Sequence, residues 1–107
     1  MGENIADNGG IKQSFTAWSR AAAGSTARLP GLPELSPQQL FFVSFAQVWC
    51  GTRRPASAHR AILTDPHSPH RFRVNGVMMN TQPFADAFQC PVGSPMSPKA
   101  GGKCAVW

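Results

Sequence analysis

The sequence predicts a mainly α-helical fold with short irregular β pieces. Two observations carry this reading. Ile11, Phe15, Trp18 and Ala22 fall on one stripe at about 100° per residue. Further on, Ser36-Pro37-Gln38-Gln39 has the form of a helix start, followed by a long apolar run.

Residues 3–23 form the first expected helix. Glu3 and Asp7 lie at its N-terminal end, four residues apart and on the same stripe as the apolar side chains. The helix dipole favours acidic residues in a first turn, but it does not explain why they lie on the side expected to be buried. Gly9 and Gly10 each weaken a helix by roughly 1 kcal/mol relative to Ala, which close packing against the backbone would justify. Residues 24–35, GSTARLPGLPEL, read as a loop. The second helix is expected over 36–50, with Ser36 as N-cap, Pro37 at the first helical position and Gln39 completing a capping box. Its segment LFFVSFAQVWC is apolar almost all round, the pattern of a helix buried on most sides. A chain of 107 residues has difficulty covering such a helix alone.

Beyond the break at 51–55, ASAHRAIL is expected as a short helix, TDPHSPHR as a loop, and FRVNGVMM as a short strand. TQPFADAF is expected as a helix capped by Thr81. An irregular tail runs from Cys90 to the final CAVW.

Composition narrows the function classes. Hydrophobic content of 42% excludes generic disorder. No apolar run approaches the ~18 residues of a membrane span; the longest, Leu40 to Ala46, is interrupted by Ser44. The net charge is +5, but the ten basic residues are scattered, the pattern of a solvated surface. Zinc-finger spacing, aromatic RNA-binding signatures and heptads are missing, so no nucleic-acid partner is expected. Cys50, Cys90 and Cys104 make an odd count, which implies either free thiols or partners outside the chain.

Several residues are suited to chemistry. Glu3 and Asp7 read either as a solvated first turn or as one carboxylate on a metal and a second orienting a histidine ligand. His67 reads either as a loop histidine bonded to its own backbone or as an electrophile stabilising an oxyanion. Arg73 reads as a surface arginine or as a ligand for a substrate carbonyl or carboxylate. A zinc site built from His67, His70 and Cys50 is disfavoured by the proline between the two histidines, which breaks helical spacing, and by the lack of Cys-x-x-Cys. Neither HExxH, a phosphate loop nor a G-x-S-x-G motif is present.

Seven blocks in order, GENIADNGG, LPGL, QLFFVSFAQVWCG, TDPHSPHRFRV, FADAFQC, GSPM and CAVW, resemble the C-terminal portion of the neprilysin and endothelin-converting-enzyme family of zinc metalloendopeptidases. The resemblance runs from residue 2 to residue 107. It implies the helical C-terminal part of a gluzincin-type catalytic domain, with residues 1–107 a fragment from which the HExxH part is absent. Glu3 then matches the third ligand of the single zinc ion. Asp7 matches the aspartate behind a zinc-bound histidine, His67 the transition-state histidine, and Arg73 the arginine that contacts the substrate backbone. Asp65 belongs to a matched block without an assigned role. In the family, Cys50, Cys90 and Cys104 pair with upstream cysteines, so their disulfide partners lie outside this chain. The implied partners are peptide substrates and the remainder of the peptidase chain. The implied location is the extracellular face of the plasma membrane, as a type II ectoenzyme, or a secreted form. Without HExxH the chain lacks two ligands and the general base, so it is expected to be inactive alone. A non-catalytic basic fragment that docks on another protein or an anion is the alternative.

Overall fold

The computed structural model describes residues 2–103, with the side chain of Ala100 excepted. It contains five α-helices and one short 3-10 turn: α1 Gly2–Ala21, α2 Pro37–Val48, α3 Pro55–Thr64, α4 His70–Asn80, α5 Gln82–Ala87 and η1 Ala100–Gly102. Among the described residues, β structure is limited to an isolated antiparallel bridge between Ser94 and Ser97. The final CAVW block, including Cys104, lies outside the described residues.

Helix α1 ends where Gly24 takes φ +79°, a left-handed conformation that costs glycine little. Ser25 N–H then donates to the Ala22 carbonyl at 2.9 Å. At α2 the capping box forms as its sequence predicts. Ser36 Oγ accepts from Gln39 N–H at 3.1 Å, and Gln39 Oε1 accepts from Ser36 N–H at 2.8 Å. The Gln39 amide also donates to the Ala87 carbonyl at 3.0 Å, tying α2 to α5.

Residues 72–79, expected as a strand, lie within α4. Val74, Val77 and Met78 carry the correction: at helical spacing they pack together onto the core. A short apolar run fits both periods, and tertiary packing decides between them. Thr81 precedes α5 as expected but makes no side-chain cap. Its hydroxyl instead donates to the Val77 carbonyl at 2.8 Å.

Ile11, Phe42, Val77 and Met78 form the buried centre, surrounded by Phe15, Phe41, Phe45, Phe84 and Phe88. Phe42 stacks on Phe15 at 5.1 Å between ring centroids and meets Phe84 edge-on at 5.5 Å. This core is thin. The radius of gyration is 15.3 Å, against about 13 Å for a close-packed chain of this length. Helix α2, apolar all round, buries only Phe42 fully and leaves Val48 73% exposed. Ile62, Leu63 and Phe72 are likewise exposed. No described helix is long and apolar enough to cross a membrane.

Candidate functional site

Three segments far apart in sequence meet at one end of the molecule: the first two turns of α1, the residues just after α2, and the loop before α4 together with its first turns. Each brings charged or aromatic side chains to a common cluster.

Asp7 and Arg73 form its centre. Arg73 donates from Nε to Asp7 Oδ2 at 2.7 Å and from Nη2 to Oδ1 at 2.6 Å, a bidentate pair. Both side chains are nearly covered, at 12% exposure for Arg73 and 11% for Asp7. These hydrogen bonds raise the Arg73 pKa above its ordinary value, against a smaller opposing effect of burial. The guanidinium carbon sits 3.9 Å from the centre of the Trp49 ring, a cation–π contact. Trp49 caps the C-terminus of α2, and its ring also neighbours His70 at 5.7 Å.

His67 stands beside this pair. Asp65 Oδ1 accepts from the His67 backbone N–H at 2.9 Å, the local turn that aspartate forms two residues before its partner. The same oxygen lies 2.8 Å from His67 Nδ1. An ionised carboxylate only accepts, so Nδ1 carries the proton and Nε2 faces away from Asp65. His67 Nε2 lies 3.2 Å from Glu3 Oε2, and Arg73 Nη2 lies 4.0 Å from the same oxygen. The bonds from the His67 backbone and then its ring hold the Asp65 carboxyl below its ordinary pKa. Arg53 reaches Asp65 at 3.9 Å. A continuous chain of polar contacts therefore runs Arg53–Asp65–His67–Glu3–Arg73–Asp7.

The four residues singled out in the sequence, Glu3, Asp7, His67 and Arg73, are thus brought together. Asp7 is half-buried, turned inward as the stripe predicts, but Glu3 stands at the rim with 47% of its side chain exposed. Asp65, without a role in the sequence, holds His67 in place. Trp49 was hidden in the sequence because it reads as one more apolar residue after α2. Local spacing carries no signal that residues 49 and 73 stack. Cys50 is exposed, Cys90 is half-buried, and neither is disulfide-bonded among the described residues; Cys104 lies outside them.

Two concavities flank the cluster. One of about 730 Å³ runs between α1 and α2 from Asp7 past Gly10, Ser14 and Phe41 to Val48. The other, about 270 Å³, lies beside His67 and is lined by Arg53, Ala61, Ile62 and His70. Gly9 is buried, but a side chain at Gly10 would meet nothing within 4 Å. The close packing that would favour glycine is therefore missing at position 10 among the described residues.

Among the described residues no three His, Cys, Asp or Glu side chains converge in a way that would hold a metal. Glu3 stands at the rim of the cluster, beside His67 and Arg73.

Known proteins resemble this chain along its whole length. Neprilysin-1 of Caenorhabditis elegans is 53% identical over 110 residues, covering 100% of this chain and 14% of that protein. Endothelin-converting enzyme 1 of Cavia porcellus is 51% identical over 109 residues, with the same coverage of each. The solved structure of a Haemonchus galactose containing glycoprotein complex superposes with a TM-score of 0.87 at 38% identity, covering 99% of this chain and 18% of that one. The chain spans about one seventh of the length of these curated relatives. The profile of Peptidase family M13 matches residues 1–104, and with relatives half identical from end to end this places the chain in that family of metalloendopeptidases.

Proposed function

We propose that this chain is the C-terminal part of the catalytic domain of a zinc-dependent endopeptidase that hydrolyses peptides. In this reading Glu3 gives one zinc ligand, and two histidines of an HExxH helix elsewhere in a longer polypeptide give the others. The convergence of Glu3, Asp7, His67 and Arg73, drawn from two segments about sixty residues apart, carries the reading. The bound metal would supply Lewis-acid activation at the scissile carbonyl.

The chain's own residues divide the remaining work. Asp65 holds the His67 ring by Nδ1, which leaves Nε2 beside Glu3; carrying a proton, Nε2 would donate to an oxyanion developing next to that carboxylate. Arg73, fixed by Asp7, would bind a peptide carbonyl. Asp7 spends one lone pair of each oxygen on Arg73 and keeps others, enough to accept from a metal-bound histidine as well. Cys50, Cys90 and Cys104 would pair with cysteines elsewhere in the longer protein, consistent with exposure of Cys50 and with action on the extracellular side, membrane-anchored or secreted. Alone, with one metal ligand and no general base, the chain would be inactive.

Paired substitutions in the complete polypeptide test this assignment. Glu3→Ala should abolish stoichiometric zinc and activity together. His67→Ala should keep zinc while lowering kcat by about 100-fold or more, as loss of one oxyanion donor does. Zinc lost on His67→Ala but retained with full activity on Glu3→Ala would overturn the roles.

A further inference from the structure

We propose that Trp49 is a positioning residue: with Asp7 it fixes the Arg73 guanidinium so that Nη1 is the nitrogen offered to a bound peptide carbonyl. The nature of the ligand rests on the peptidase reading above, whereas the positioning rests on geometry alone.

A guanidinium carries five N–H donors spread over three nitrogens. Asp7 takes the edge formed by Nε and Nη2, at 2.7 and 2.6 Å. Among the described residues Nη1 has no hydrogen-bond partner, and it lies on the side of the plane away from that edge. Two bonds along one edge fix rotation within the plane but leave the group free to rock about the line joining them. The Trp49 ring, 3.9 Å from the guanidinium carbon, lies against one face and removes that motion. The two constraints are complementary, and neither alone aims Nη1.

Trp49 is itself carried by the fold. Its backbone N–H donates to the Ala46 carbonyl at 3.1 Å, which anchors it to the last turn of α2. Its indole N–H is buried without a described partner, so exchanging the ring for an aliphatic side chain breaks no hydrogen bond among the described residues. What such an exchange removes is the aromatic face beneath Arg73.

The test is a double-mutant cycle in the complete M13 polypeptide that carries this sequence, assayed on a short peptide substrate. Trp49→Leu should raise KM by roughly 3- to 30-fold, the range of one desolvated cation–π contact, with little change in kcat. Trp49→Phe, which keeps an aromatic face, should raise it less. In an Arg73→Ala background Trp49→Leu should add less than twofold; an equal loss in both backgrounds would overturn the proposal. A second measurement needs no activity. In the 107-residue chain the Arg73 Nε–H resonance carries a downfield shift from its bond to Asp7 and an opposing upfield contribution from the indole ring, so Trp49→Leu should move it further downfield. A resonance that stays in place on Trp49→Leu would equally overturn the proposal. Should the complete unsubstituted polypeptide cleave no peptide, the peptidase reading falls and the resonance alone decides the positioning.

Discussion

Removing the Asp7 carboxylate should be among the most damaging changes to this chain that leave its core untouched. Asp7 accepts two charge-assisted bonds from Arg73, each of a kind that contributes about 1.5–3 kcal/mol. An exposed ion pair contributes about 0–1 kcal/mol, while breaking a fully buried one by removing a single partner costs about 3–5 kcal/mol. With nearly nine tenths of both side chains covered, Asp7→Ala falls toward the upper limit, at about 2–4 kcal/mol. Most of that loss comes from leaving the Arg73 charge without its partner. Asp7→Ala combined with Arg73→Leu should therefore be more stable than Asp7→Ala alone, because the stranded charge is gone. Urea unfolding of the 107-residue chain, followed by far-UV circular dichroism, measures both, since the signal comes from the helices. In a thermal scan the single variant should lose roughly 10–30 °C. A loss below about 0.5 kcal/mol in Asp7→Ala, or a double variant less stable than both single variants, would refute the view that the pair is buried and coupled.

Three other perturbations address separate parts of the structure. Asp65 has its pKa lowered in the folded state, so its contribution to stability is present above its ordinary pKa and fades as pH falls below about 4; Asp65→Asn should flatten acid unfolding in that window, and an unchanged pH profile would count against the Asp65–His67 contact. Ser36→Ala should cost about 1 kcal/mol in urea unfolding through loss of the cap on α2; no loss would mean that the capping box adds nothing. Phe42→Ala, at the buried centre against Phe15 and Phe84, should cost about 3–5 kcal/mol, enough to leave the chain largely unfolded at room temperature by circular dichroism.

Helices α1 and α2 were legible in the sequence because each signal there is local. The stripe through Ile11 and Phe15 repeats at 3.6 residues, and Ser36 and Gln39 satisfy each other within one turn. Helix α4 was not legible: Phe72 to Met79 is short, mixed and interrupted by Gly76, and only the packing of Val74, Val77 and Met78 onto other elements selects the helix. Thr81 misled for a related reason, since its hydroxyl had a closer carbonyl available in the turn behind it. In the site, the inward placement of Asp7 followed from its spacing. For His67 and Arg73 the residues alone left two readings each, and only the resemblance of whole blocks favoured one, since nothing near either residue specifies a partner sixty residues away. Trp49 escaped altogether, because stacking on a cation leaves no mark on hydrophobic periodicity.

Helix α1 joins two unrelated tasks on one rigid rod. Its first two turns present Glu3 and Asp7, and its next turns anchor the fold through Ile11 and Phe15. The helix is continuous between them, so the two share a phase. One residue inserted between Asp7 and Ile11 would turn the carboxylates by about 100° and shift them about 1.5 Å relative to the core, taking Asp7 off Arg73 and Glu3 away from His67 at a single stroke. No substitution could compensate, because the error lies in angle and not in chemistry. The protein should thus tolerate changes of length where phase carries no information, above all in the exposed loop from Ala23 to Glu34, and should refuse them between Asp7 and Ile11, however mild the inserted residue.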